Sequence, residues 1–204
     1  VALTAILVGI GGLAPSPHLH AQQTTAELRA LAEQGDATAQ LRLGSRLLTP
    51  YDAQGFPWDD AEAFRWFRLA AEQGLAAAQH NLGVMYREGR GVPEDDAEAA
   101  RWFRLAADQG DADAMFHLGQ MYEGGEGVPQ NSTEAARWFR LRNNQNLARD
   151  VKARAEQGDA REQHTLGNLY ENGQGVPQND TEAARWYRLA ADQGVAEAML
   201  DLGF

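Results

Sequence analysis

A chain of 204 residues with 44% hydrophobic content can bury a core, while a formal charge of −11 leaves no basic stripe for nucleic acid or an anionic membrane surface. Cysteine is absent, which excludes disulfides, thiolate nucleophiles and thiolate zinc sites. Lys152 is the sole lysine and the serines are Ser16, Ser45 and Ser132, so no Ser-x-x-Lys acyl-transfer pair exists.

The opening segment VALTAILVGIGGLAPSPHLHAQQ, residues 1–23, contains no Asp, Glu, Lys or Arg. An apolar run to about Ala14 leads into Pro15, Pro17 and Ala21, the order expected of a secretory leader. It is too short and too rich in Gly and Pro for stable membrane insertion. The expected location is therefore periplasmic or secreted.

From residue 24 onward the chain repeats itself. Trp66, Trp102 and Trp138 are spaced by 36 residues, and Trp186 follows after 48. Five unit starts recur: GDATAQLRLG, GLAAAQHNLG, GDADAMFHLG, GDAREQHTLG and GVAEAMLDLG. They divide the chain into units at about 35–73, 74–109, 110–157, 158–193 and a partial 194–204. Such a period is the signature of stacked supersecondary units, none of which can bury its apolar face alone.

Each unit is predicted to hold two helices. Ala78, Leu82, Met85 and Tyr86 form an i, i+4, i+7, i+8 stripe, and Ala99, Trp102, Phe103 and Ala106 form a second stripe after the turn REGRGVPED. Asp95 with Glu98, Asn131 with Glu134 and Asn179 with Glu182 have capping-box spacing. Gly110 closes a second helix and Asp111 is placed to cap the next. Gly44, Gly83, Gly119, Gly167 and Gly203 recur inside first helices, where glycine costs about 1 kcal/mol against alanine. A neighbour too close for a side chain is implied, and the tryptophan is the expected neighbour. In the third unit, LRNNQNLARDVKARAEQG breaks the pattern. Asparagine is a poor helix former, so a break near Asn143–Asn146 and then an extra helix is preferred over one overlong helix. In the last unit, VAEAMLDLGF supplies a first helix whose stripe (Ala198, Met199, Leu202, Phe204) lacks a partner.

The stretch AQHNLGVMYREGRGVPEDDAEAARWFRLAADQGDADA resembles the Sel1-like repeat, a relative of the tetratricopeptide repeat. The resemblance runs from about Gly35 to Phe204 on the LG-x-MY, G-x-GVP and EA-x-RW elements, and the first unit departs from it at RLLTPYDAQGFP. It implies an all-α, right-handed superhelical solenoid of antiparallel helix pairs. It also implies a concave face that binds proteins or peptides as a scaffold, in a family with many exported bacterial members. A cysteine-rich branch of that family is associated with β-lactam binding, and the paired cysteines of that branch are missing here.

The residues themselves carry little chemistry. The turn glycines end helices and precede no G-K-[ST], so they are caps rather than a phosphate loop. His80 and His164 share one repeat position and His117 takes the next; such rings are expected to be partly buried and locally bonded, with no metal spacing. Arg65/Arg68, Arg101/Arg104, Arg137/Arg140 and Arg185/Arg188 form a ladder. Its members are expected to pair as Arg104 with Asp108 and Arg188 with Asp192, and to cover the tryptophan edges with their stems. Positions fixed across units serve stacking, whereas exposed positions that vary are free to read a partner. On the first helices these are Asn81/His117/Thr165, Val84/Gln120/Asn168 and Glu88. The expectation is a non-enzymatic scaffold without cofactor or metal that binds a protein or peptide there. The alternative is a cell-envelope enzyme or accessory acting on peptidoglycan or β-lactam-like ligands.

Overall fold

A computed structural model describes residues 24–48 and 59–203. Among these, ten helices follow one another: α1 (Thr25–Glu33), α2 (Ala37–Leu47), α3 (Asp60–Glu72), α4 (Ala76–Glu88), α5 (Asp96–Asp108), α6 (Ala112–Gly124), α7 (Ser132–Glu156), α8 (Ala160–Asn172), α9 (Asp180–Asp192) and α10 (Ala196–Asp201). Each helix packs on its sequence neighbours, so α2/α3, α4/α5, α6/α7 and α8/α9 are the repeated pairs. The leader at 1–23 and most of the irregular first-unit turn lie outside the described residues.

Second helices start where the sequence places their caps. Asp95, Asn131 and Asn179 accept from the amides of Glu98, Glu134 and Glu182 at 3.0, 3.1 and 3.0 Å. The reciprocal half of the capping box is not made there. The cap amides instead donate to the carbonyls of Tyr86, Tyr122 and Tyr170 at 2.8–2.9 Å, which ties each second helix to the end of its own first helix. The released glutamates pair with Arg101, Arg137 and Arg185 at 3.0–3.2 Å. Only Thr24 and Glu27, at the start of α1, show both halves among the described caps.

The interior glycines do mark close approach, but not by tryptophan. A Cβ on Gly44, Gly83, Gly119 or Gly167 would lie 2.4–2.8 Å from the rings of Phe67, Phe103, Phe139 and Tyr187. The residue after each tryptophan is the one that seats on its own first helix. The tryptophan, about 100° around the helix, turns towards the preceding unit. Trp102 shares a core with Ala70, Ala71 and Ala78, and Trp138 shares one with Ala100, Phe103 and Ala107. One aromatic therefore closes the hairpin and the other joins hairpins. Gly203 is no part of this set: it follows the end of α10 with φ +78, and a Cβ added there would meet nothing within 4 Å.

The expected break at Asn143–Asn146 is absent. α7 is one helix of 25 residues, and the asparagines lie inside it. Tertiary packing overrides their poor propensity, because Ala148, Val151 and Ala155 bury against α8 and Trp186. The turn glycines show what the second half of α7 is. A Cβ on Gly91 would lie 2.2 Å from the Asp60 carbonyl, one on Gly127 2.2 Å from that of Asp96, and one on Gly175 2.1 Å from that of Asn144. All three pairs are 31 residues apart (91 − 60, 127 − 96, 175 − 144). Asn144 thus stands where a second helix normally begins. The tail of α7 is a second helix joined directly to the one before it, with no first helix between. Accordingly the tryptophan position holds Asp150 and the alanine after it Arg154, both exposed. The twelve residues beyond the period rotate the tail by about 120° and advance it about 18 Å, which offsets the fourth unit.

A candidate partner-binding face on the first helices

The variable positions fall on one side of α4, α6 and α8, but the structure uses several of them internally. Val84 packs against the core shared by α5, α6 and α7. Thr165 Oγ1 donates back to the Arg161 carbonyl at 3.0 Å. Asn168 is bonded at 2.8 Å to the Tyr187 hydroxyl, which also reaches Glu171 at 2.8 Å. Tyr187 is the one tyrosine where the other units carry phenylalanine, so Asn168 answers a neighbour inside its own unit. Burial, then the Glu171 carboxylate, holds the Tyr187 hydroxyl well above the usual phenol range. Glu88 is exposed, 3.9 Å from Arg90. Asn81 and Gln120 are half-buried and make no side-chain hydrogen bond among the described residues.

His117 is also committed. Its ring stacks on Phe103 with centroids 4.6 Å apart, and Nδ1 accepts from the Arg87 guanidinium at 3.0 Å. Burial, together with the neighbouring His80 and Arg87, pushes it down to about 4. His80 reaches the Asp111 carboxylate at 3.0 Å, and His164 reaches that of Asp201 at 2.7 Å. Burial would raise Asp111, but the bonds from His80 and the Ala114 amide outweigh it and hold the acid below its ordinary value. Each histidine is therefore a local bonding partner, as its repeat position suggests. Among the described residues no group of three or more His, Cys, Asp or Glu could hold a metal.

A pH dependence follows from His117. An unfolded histidine titrates near 6.5, so below that pH the unfolded chain takes up a proton that the folded one refuses. Stability present above about 6.5 is lost progressively as pH falls towards 4. The variant H117Q keeps an acceptor for Arg87 and removes the titration. Between pH 7 and pH 5 its melting temperature should fall less than that of the wild type; equal slopes would refute the assignment.

Where α2 and α4 lie side by side, a shallow groove of about 520 Å³ opens on this face. Leu28, Leu41 and Ala77 form its apolar part, and Arg42, Ser45, Arg46 and Asn81 its polar edge. Arg42 shares the repeat position of Asn81, and Ser45 that of Val84. The turn of the first unit departs from the repeat pattern, yet the column of varying positions continues through that unit.

Six of the eight ladder arginines are engaged within the fold. Arg65, Arg101, Arg137 and Arg185 lie 5.0–5.5 Å from the centroids of the adjoining tryptophan rings. Arg68 pairs with Glu72 at i, i+4, but the expected Arg104–Asp108 pair is not made. Arg104 donates to the Tyr122 hydroxyl and lies over Trp138 instead. Nor do Arg188 and Asp192 form an ion pair.

The Sel1 repeat family matches residues 37–75, 76–111, 112–141 and 163–195, well over half of the chain. The chain belongs to the Sel1 repeat family. The gap between the third and fourth Sel1 matches covers the tail of α7. A Sel1 repeat protein from Oxalobacter formigenes is 30% identical over 87% of this chain and 57% of its own, with a TM-score of 0.52. A protective antigen present in uropathogenic Escherichia coli strains, displaying an SLR fold, is also 30% identical, over 89% of this chain and 51% of its own, with a TM-score of 0.42. The chain thus spans a little over half the length of these two proteins. No curated protein sequence matches it.

One set of Sel1 residues is missing from the sequence-based expectations. Gln40, Gln79 and Gln163 are buried in first helices, and each donates to a carbonyl eight residues back, on Ala32, Ala71 and Ala155, at 3.0–3.2 Å. Each also accepts from the glutamine at the end of its own second helix, Gln73, Gln109 and Gln193, at 2.7–2.8 Å. This clamp adds a second donor to helix-end carbonyls that already accept from the amides of Gly35, Gly74 and Gly158 at 2.9–3.0 Å, and so ties the two helix ends together. Its signal was legible, since both glutamines recur at fixed unit positions.

Proposed function

We propose that the chain is a non-enzymatic scaffold that binds a protein or peptide on the first-helix face, and that it is exported. The groove between α2 and α4 carries this reading, because its polar edge includes Arg42, Ser45 and Asn81, at positions that change from unit to unit. The uncharged apolar segment 1–23 supports export. Net charge −11 keeps such a scaffold away from nucleic acid and anionic membrane surfaces. No helix among the described residues is long and apolar enough to cross a membrane.

The test is retention of a partner from envelope extract of the native host on immobilised chain. Asn81 and Gln120 are the positions to change, because Val84, His117, Thr165 and Asn168 are engaged within the fold. The double variant N81A/Q120A should lose the retained partner while keeping its stability within about 0.5 kcal/mol of the wild type, as for sites away from caps and core. Unchanged retention would refute the face, and turnover of nitrocefin or muropeptides by the pure chain would refute the scaffold.

A further inference from the structure

The irregular junction at α7 builds a cleft that no regular unit can have. In three units the glutamine clamp ties the end of the second helix to its own first helix; in the third, Met115 occupies the clamp position. Its partner by spacing is Gln145, since 145 − 115 equals 109 − 79 and 193 − 163. With methionine opposite, the Gln145 amide lies against Gly110 and makes no hydrogen bond among the described residues. Because α7 runs on, the next turn docks twelve residues late and brings Val176 and Pro177 to the same cleft as Leu141. The equivalent leucines Leu69, Leu105 and Leu189 stand 38–41% exposed. The result is a cleft of about 390 Å³ with Met115 and Leu141 in its floor and Gln145 in its wall.

The lining describes its occupant. A side-chain amide offers one acceptor and two donors, the complement of a peptide unit, and Gln145 presents its amide unpaired. The apolar part of the lining accepts one aliphatic side chain. The volume suits one or two residues and is too narrow for a helix about 10 Å across. At the rim, Asp108 has no ion pair among the described residues, because Arg104 has turned to Tyr122 and Trp138. Arg137, across the cleft, is already paired with Glu134. The open charge is therefore negative, on a chain that is itself acidic.

We infer that this cleft is a binding site for an extended peptide segment in which an aliphatic residue is followed by a basic one. The inference deepens the scaffold reading and rests on it, but it concerns a different surface from the first-helix groove.

The probe is a fluorescein-labelled hexapeptide, Gly-Ser-Leu-Lys-Ser-Gly, titrated with the full chain and followed by polarisation. Versions with glutamate for the lysine, or serine for the leucine, should bind at least tenfold more weakly. The decisive variant is M115Q. The glutamine it introduces restores the clamp with Gln145 and with the Ala107 carbonyl, as in the other three units. M115Q should melt at or above the wild-type temperature and bind the peptide at least tenfold more weakly. D108N should narrow the preference for lysine over glutamate. N81A/Q120A should bind the peptide like the wild type. Absence of saturable binding by the wild type, or wild-type binding by M115Q, overturns the inference. Loss of the peptide in N81A/Q120A but not in M115Q moves the site to the first-helix face and leaves the scaffold reading standing. Peptide binding that depends on Met115, with no partner retained from extract, sinks the first-helix reading alone.

Discussion

Replacing Trp138 with alanine is expected to cost about 3–5 kcal/mol, one of the two largest losses available from single substitutions in this chain. The side chain is 1% exposed and sits where three helices meet, among Ala100, Phe103, Ala106 and Leu118. Alanine leaves a void between two units rather than within one, and rigid helices on either side cannot collapse into it. The cost is one of packing and not of hydrogen bonding. The Trp138 indole N–H is buried without a partner, as are those of Trp102 and Trp186, whereas Trp66 donates to Glu62 at 3.1 Å. Phenylalanine at 138 removes an orphaned donor along with some volume, so W138F should recover most of the loss. W66F removes a made bond and should cost about 1 kcal/mol more than its volume alone. Urea denaturation of the four proteins decides this; a W138A variant within about 1 kcal/mol of the wild type would show that α7 is not held to α5 in this way.

The second large effect is expected at Gly127. Its φ is +63, and an added Cβ would lie 2.2 Å from the carbonyl of Asp96. Neither atom belongs to a flexible side chain, so G127A must push the turn away from the start of α5. Strain at positive φ contributes about 1 kcal/mol, and the lost contact between units should bring the total to about 3 kcal/mol or more. Gly158 is the control: its φ is +96, but an added Cβ meets nothing within 4 Å. G158A should cost about 1 kcal/mol, for conformation only. If thermal unfolding gave the two variants equal losses, the close approach at Gly127 would not matter to stability.

The hairpins, their caps and the need for close approach at interior glycines were all legible, because each leaves a residue type at a fixed unit position. What escaped involved a choice between neighbours. Phe103 and Trp102 both fall in one buried stripe, and periodicity cannot say which meets Gly83 and which meets the preceding unit. The capping boxes failed similarly: spacing places Glu98 near the Asp95 amide, but the Tyr86 carbonyl gets there first. At Asn143–Asn146 local propensity was outvoted by Val151 and Ala155, whose partners lie in the following unit.

The candidate face was legible only as a set of varying positions. Variation between units has two causes, a partner to read or a neighbour that differs, and sequence alone does not separate them. Asn168 varies because Tyr187 does, and His117 because Arg87, at a position that itself changes between units, offers it a bond. Asn81 and Gln120 survive this sorting. Met115 is silent in the sequence for the opposite reason: it is an apolar residue at a buried position, and its meaning emerges only once the other three units show a glutamine there.

The continuous α7 also changes how the molecule can open. An array of hairpins frays one hairpin at a time, since each contacts only its neighbours and local openings follow those seams. Within α7 there is no seam between the second helix of the third unit and the extra second helix that follows it, because a single run of backbone hydrogen bonds holds both. Amide protons along both halves of α7 should therefore exchange as one block, while the separate hairpins exchange in steps.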